Sequence, residues 1–282
     1  MKFARLGAKG HETPVLMTDD GVYDLQGITP DIDGRFFAGG GPAAVRSALE
    51  AGELPLLEGA ESLRVGAPIA RPSAVICIGM NYAAHAAESG SEPPTSPVIF
   101  FKTPNTVVGP NDRVAIPRGS TKTDWEVELG VVIGRNATYL GSPSDSAAHI
   151  AGFVAANDVS EREFQLEISG GQWSKGKSAP GFSPTGPWLV TPDEVSHENL
   201  RLQSFVNGDP RQDSTTADLV FGVDHLVWYL SQFMELEAGD LILTGTPAGV
   251  ALSGRFPYLT SGDVVEIEIA GLGRARQEFF DA

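Results

Sequence analysis

The chain has 282 residues, 41% hydrophobic and 20% charged, enough for one large domain with a small accessory unit and a sizeable core. Only 20 Lys and Arg stand against 36 Asp and Glu, a formal charge of −16; such a surface repels phosphate backbones and anionic lipid and argues against nucleic-acid and membrane-surface roles. The single cysteine, Cys77, excludes an intrachain disulfide, and with no apolar signal region or membrane-length apolar run a soluble, cytoplasmic protein is expected.

In chain order, residues 1–65 read as a small α/β accessory domain. KFARLG, TPVLMTDD and GVYDLQG predict short strands, and GPAAVRSALEAG a helix stopped at Gly52. The Pro- and Gly-rich stretch VGAPIARPS, residues 65–73, marks the expected boundary to a second domain over 70–282. Short apolar or alternating runs then predict strands at AVICIGM, PVIFFK, EVELGVVIG, AGFVAANDVS, PWLVT, LRLQSFVNG, DLILTG and DVVEIEIAG. Asn207-Gly208 predicts a tight hairpin. YAAHAAES predicts a short helix, and GVDHLVWYLSQFM a longer one with Leu226, Tyr229, Leu230 and Phe233 on its apolar face. The fold class expected is α+β and β-rich, without the fingerprint of a dinucleotide-binding fold.

Glu126 and Glu128 stand two apart in the apolar run DWEVELGVVIG. In a strand they share a face, about 7 Å apart, with Trp125, Val127 and Leu129 on the other. Burying two like charges requires compensation, most simply a cation; the alternative is an edge strand with a solvated acidic face. Asp158 ends a second apolar strand, as a site residue or a turn former. Three carboxylates without His or Cys form a hard oxygen set suited to Mg²⁺, Mn²⁺ or Ca²⁺. His85 and Glu88, three apart on a short helix, are either a surface pair or an oriented general base. Lys175 and Lys177 lie in a Gly/Ser/Pro-rich loop, Thr244 and Thr246 in the turn LTGTPAGV, and Lys102 at the end of FFK.

Taken together and in order, GMNYAAH, FFKTPN, DWEVELGVVIG, NDVSEREFQ, QWSKGKS, GPWLVT, VNG and LTGTPAGV resemble the fumarylacetoacetate hydrolase family over roughly residues 74–282. The resemblance implies a mixed β-roll with a small N-terminal accessory domain, assembled as a homodimer. It implies metal ligands at Glu126, Glu128 and Asp158, holding Mg²⁺ or Mn²⁺, with Lys177 beside them. His85 and Glu88 fall on the family's water-activating dyad, Thr246 on a substrate-contacting position, and Lys102 near the site. The implied activity is hydrolytic C–C cleavage of an acylpyruvate or 2,4-diketo acid. The same site would also serve a 2-oxo acid decarboxylase, an isomerase or tautomerase, or a sugar-acid dehydratase; a Ca²⁺-holding module is the non-enzymatic alternative. KSAPGF and GVALSG depart from common family patterns beside the expected pocket, so they bear on substrate identity.

Overall fold

A computed structural model describes residues 1–88 and 90–282. Fourteen of its strands and five helices suffice to place the site. Three N-terminal strands, β1 (Lys2–Leu6), β2 (Thr13–Thr18) and β3 (Gly21–Asp24), form a meander followed by α1 (Gly34–Ala38) and α2 (Gly41–Glu50). Then come β4 (Val75–Gly79), α3 (Ala83–Glu88), β5 (Val98–Lys102), β6 (Val114–Ile116), β7 (Val127–Ile133) and β8 (Ile150–Asn157). The short α4 (Ser174–Lys177) and β9 (Leu189–Val190) precede the hairpin β10 (Arg201–Val206) and β11 (Asp209–Thr215). Helix α5 (Val223–Ser231), β12 (Leu241–Leu243), β13 (Val264–Ile269) and β14 (Gly273–Asp281) complete the set.

Nine strands form one sheet in the order β3-β2-β1-β9-β8-β7-β12-β4-β5, and five form a second in the order β11-β10-β13-β14-β6. The N-terminal meander enters the large sheet through β1, whose Phe3 lies opposite Leu189 of β9. Phe3, Leu16 and Phe36 pack in one cluster with Val75, Cys77, Val132 and Leu241, so the sheet and its core run across the expected boundary. The opposite face of β7, carrying Val127, Leu129 and Val131, packs with the preceding Trp125 in one cluster with β10, β13 and α5.

The expected strands and the Asn207-Gly208 hairpin are all present; Asn207 and Gly208 both have positive φ, 55° and 84°, as a type I′ turn demands. Helix α5 buries Val223, Leu226, Val227 and Leu230. Phe233, expected on that face, is 63% exposed because the helix stops at Ser231, before the apolar period reaches it. The expected short helix is observed over Ala83–Glu88, and position 89 of that expectation lies outside the described residues. Among the described residues, no helix is long and apolar enough to cross a membrane.

Candidate metal centre

Antiparallel register brings the three acids together. Strands β7 and β8 pair Glu128 with Ala156 and Val127 with Asn157. One step further, the Asp158 amide donates to the Glu126 carbonyl at 2.9 Å. Residues 126 and 158, thirty-two apart in sequence, therefore face each other where the ladder ends. Strand β7 is interior to the sheet, flanked by β8 and β12, and Glu126, Glu128 and Asp158 are 4%, 2% and 0% exposed. The solvated-edge alternative is thereby excluded. One carboxylate oxygen from each residue lies within 4.8 Å of the others.

Three buried cations surround the cluster. Lys177, at the end of α4, bridges Glu126 Oε2 at 2.7 Å and Asp158 Oδ2 at 2.8 Å. Arg162 spans Asp124 Oδ2 at 2.8 Å and Glu126 Oε1 at 2.7 Å. Lys102 donates to Asp158 Oδ1, to Val159 O at 3.1 Å and to Phe182 O at 2.6 Å. Burial alone would raise the Glu126 carboxyl, but Lys177 and Arg162 outweigh it and hold the group well below the usual carboxylate range. Lys177 is opposed by burial and still pushed up to about 12 by Asp158 and Glu126. Glu128 behaves oppositely. Among the described residues no cation pairs with it, and the Gly245 amide donates to its Oε2 at 2.8 Å. Burial and then the charges of Asp158 and Glu126 drive it well above the usual range. Gly245 reaches it from a left-handed turn at φ 101°, where a Cβ would stand 2.8 Å from that of Asn81.

Four buried carboxylates, Asp124 included, thus face three cations. With all four ionised, one negative charge would be left over, at the convergence of three oxygen donors, which is why Glu128 is driven up when no cation faces it. That donor set fits a hard divalent cation held by Glu126, Glu128 and Asp158.

Helix α3 supplies the facing wall. Asn81, fully buried, anchors its entrance by donating to Thr244 O at 2.8 Å and Phe221 O at 3.0 Å. His85 Nδ1 lies 3.0 Å from Glu88 Oε1. Both Glu88 oxygens also accept from the Gly249 amide, at 3.0 and 3.1 Å. His85 is 7% exposed, so the pair is not the ordinary surface pair that its spacing allows. A carboxylate on Nδ1 leaves Nε2 as the basic nitrogen. His85, Glu88, Glu126, Glu128, Lys177 and Thr246 all line one cavity of about 260 Å³. The Thr246 hydroxyl donates to Val127 O at 2.9 Å and accepts from Gln212 Nε2 at 2.7 Å.

Lys102, expected near the site as a substrate-binding residue, does not line the cavity; its ammonium is fully buried behind Asp158 and held by three oxygens. It positions Asp158 instead. Arg162 and Gln165 line the cavity and were not singled out by sequence reasoning. Gln165 Oε1 accepts from Arg162 Nη1 at 2.9 Å, which turns the amide NH₂ outward as a donor. Both sit in or beside a π-helical turn, Glu163–Glu167, whose spacing resembled an ordinary charged run. GQWSKGKS, residues 171–178, has the spacing of a phosphate-binding loop. No strand leads into it, and Lys177 binds carboxylates, so the phosphate-loop reading does not hold.

Three kinds of likeness agree with this geometry. Residues 74–279 match the family described as fumarylacetoacetate (FAA) hydrolase C-terminal. The chain is 43% identical over 283 residues to 2,4-didehydro-3-deoxy-L-rhamnonate hydrolase of Sphingomonas sp. (strain SKA58), covering 99% of this chain and 95% of the relative. A fumarylacetoacetate hydrolase from Exiguobacterium antarcticum superposes with a TM-score of 0.84 at 32% identity, covering 100% of both chains. Maleylpyruvate hydrolase from Sphingobium sp. SYK-6, solved in complex with manganese(II) and pyruvate, superposes at 0.81 with 25% identity, again over 100% of both. The chain therefore belongs to the fumarylacetoacetate hydrolase family, a family of enzymes.

Proposed function

We propose that the protein is a divalent-metal-dependent hydrolase that cleaves the C3–C4 bond of an acylpyruvate or related 2,4-diketo acid. The observation that carries this reading is one cavity lined by Glu126 and Glu128, on which the buried Asp158 converges from behind, and by the hydrogen-bonded His85–Glu88 pair. Two similar proteins support it: one is named for hydrolysing a 2,4-didehydro-3-deoxy sugar acid, and the other was solved with manganese(II) and pyruvate. Glu126, Glu128 and Asp158 would hold Mg²⁺ or Mn²⁺, with Ca²⁺ a weaker candidate. When bound, the ion supplies Lewis-acid polarisation of the 2-oxo acid oxygens.

The chain's own groups do the rest. Glu88 orients the imidazole, and His85 Nε2 takes a proton from water. The oxygen attacks C4, and the Gln165 amide, held by Arg162, offers a hydrogen bond to the oxygen that becomes negative there. The C3–C4 bond breaks with its electron pair left on the three-carbon fragment. Lys177 offsets that charge, and the imidazolium returns its proton to C3. The balance is R–CO–CH₂–CO–COO⁻ plus water giving R–COO⁻, a proton and pyruvate. Thr246 would help shape the floor through its position on Val127. The assembly proposed is a homodimer, on family likeness.

Incubation of the purified protein with Mg²⁺ or Mn²⁺ and a panel of acylpyruvates, 2,4-diketo-3-deoxy acids and oxaloacetate tests the reading. Pyruvate formed with one equivalent of a second acid, abolished by chelation, supports it. Carbon dioxide from oxaloacetate, with the diketo acids untouched, selects decarboxylation instead.

A further inference from the structure

We infer that the cavity favours substrates whose C4 side chain is uncharged, so that the substrate class is a monocarboxylic 2,4-diketo acid. This rests on the hydrolase reading for the identity of the reacting end; what it adds comes from the rest of the cavity lining. Ile78, Phe100, Leu166, Trp173 and Leu252 give that lining large apolar side chains. Phe100 and Trp173 meet edge to face at 5.6 Å. Trp173 lies so close to the end of β4 that a Cβ on Gly79 would be 2.4 Å from its ring, so the indole is seated against the strand. Leu252 comes from GVALSG, one of the segments whose sequence departs from common family patterns.

Among the described residues, a second carboxylate on the substrate would find no lining Lys or Arg that is not already paired with carboxylates. Among the described residues, the cations lining the cavity are Arg162 and Lys177. Arg162 is committed to Asp124, Glu126 and Gln165. Lys177 is committed to Glu126 and Asp158, with its ammonium 5.1 Å from the centre of the Phe100 ring. The remaining charged lining groups, Glu88, Glu126 and Glu128, are acids. A distal carboxylate would therefore be desolvated against apolar side chains or set beside like charge, both unfavourable. A methyl or hydroxyalkyl tail suffers neither penalty.

The test compares crotonylpyruvate with fumarylpyruvate, which differ by a methyl in place of the distal carboxylate. With Mg²⁺-loaded wild type, kcat/KM is expected to favour the neutral tail by about 100-fold or more. Leu166→Arg places a cation at the rim, where Leu166 is already 43% exposed and folding is spared. It is expected to narrow that ratio about tenfold, and Leu252→Arg is the second variant. Calorimetric binding of both compounds to His85→Asn reads the preference without turnover. If neither compound is cleaved but crotonylpyruvate still binds more tightly by the same factor, the hydrolase reading fails and the tail assignment stands. Equal rates or equal binding in wild type and His85→Asn, or an unchanged ratio in both arginine variants, overturns the tail assignment.

Discussion

Replacing Glu128 by Gln separates the cost of the metal site from its use. In the metal-free protein, Glu128 converges with Glu126 and Asp158 to within 4.8 Å, yet among the described residues it accepts only the Gly245 amide. At an effective dielectric constant of about 20, two unit charges at that separation repel by roughly 3 kcal/mol. Two such repulsions, partly offset by Lys177, leave a net penalty of about 1–3 kcal/mol. The Gln side chain keeps an acceptor for Gly245 and sheds the charge. Metal-free Glu128→Gln should therefore melt above metal-free wild type, by about 2–4 °C per kcal/mol. With free Mg²⁺ at about 100 times its Kd, wild type should gain about 2.7 kcal/mol and the variant almost nothing. Differential scanning calorimetry in chelator and then in Mg²⁺ reads both effects. A variant that melts below metal-free wild type, or that keeps the full Mg²⁺ response, would refute the reasoning.

Other variants probe separate parts. His85→Asn should lower kcat by about 10²–10⁴-fold while leaving the Mg²⁺-induced rise in Tm intact, because the imidazole acts on water and not on the ion. Lys102→Met strips a fully buried Asp158 of one of its two cations, so it should destabilise the fold by about 3–5 kcal/mol in chemical denaturation. A normal denaturation midpoint with a raised KM would return Lys102 to substrate contact. Asp240 accepts the Ala74 and Glu237 amides, and burial raises its carboxyl above the usual range. The folded state thus keeps a proton that the unfolded chain has released, a contribution lost as pH rises through the raised pKa. Wild type should accordingly lose stability relative to Asp240→Asn as pH climbs from about 4, by less than about 1.4 kcal/mol per pH unit.

Much of the site was legible because strand periodicity speaks directly to side-chain direction. The i, i+2 spacing of Glu126 and Glu128 put both on one face, with Trp125, Val127 and Leu129 on the other, and that division is observed. Whether that face was wet or buried depended on β7 being interior, a fact of sheet order that local pattern does not carry. Sequence order put Lys102 near the site but not the side from which it reaches it: its strand ends behind Asp158. Arg162 and Gln165 were hidden in SEREFQ, where a π-turn aims inward a spacing that an α-helix or strand would present differently. Strand β11, DPRQDST, and strand β14, GRARQEFFD, escaped notice because polar residues dominate them; their alternation is set by pairing with β10 and β13. Residues 1–65 looked separate because a Pro- and Gly-rich stretch follows them, yet β1 joins β9 across more than 180 positions of sequence.

The central claim is that Glu126, Glu128 and Asp158 hold one divalent ion in the cavity faced by His85. Anomalous diffraction from crystals grown with Mn²⁺ measures this most directly. The account predicts a single strong peak about 2.0–2.3 Å from one oxygen of each of the three carboxylates. A map with manganese bound elsewhere on the chain and no peak among those three oxygens would contradict it.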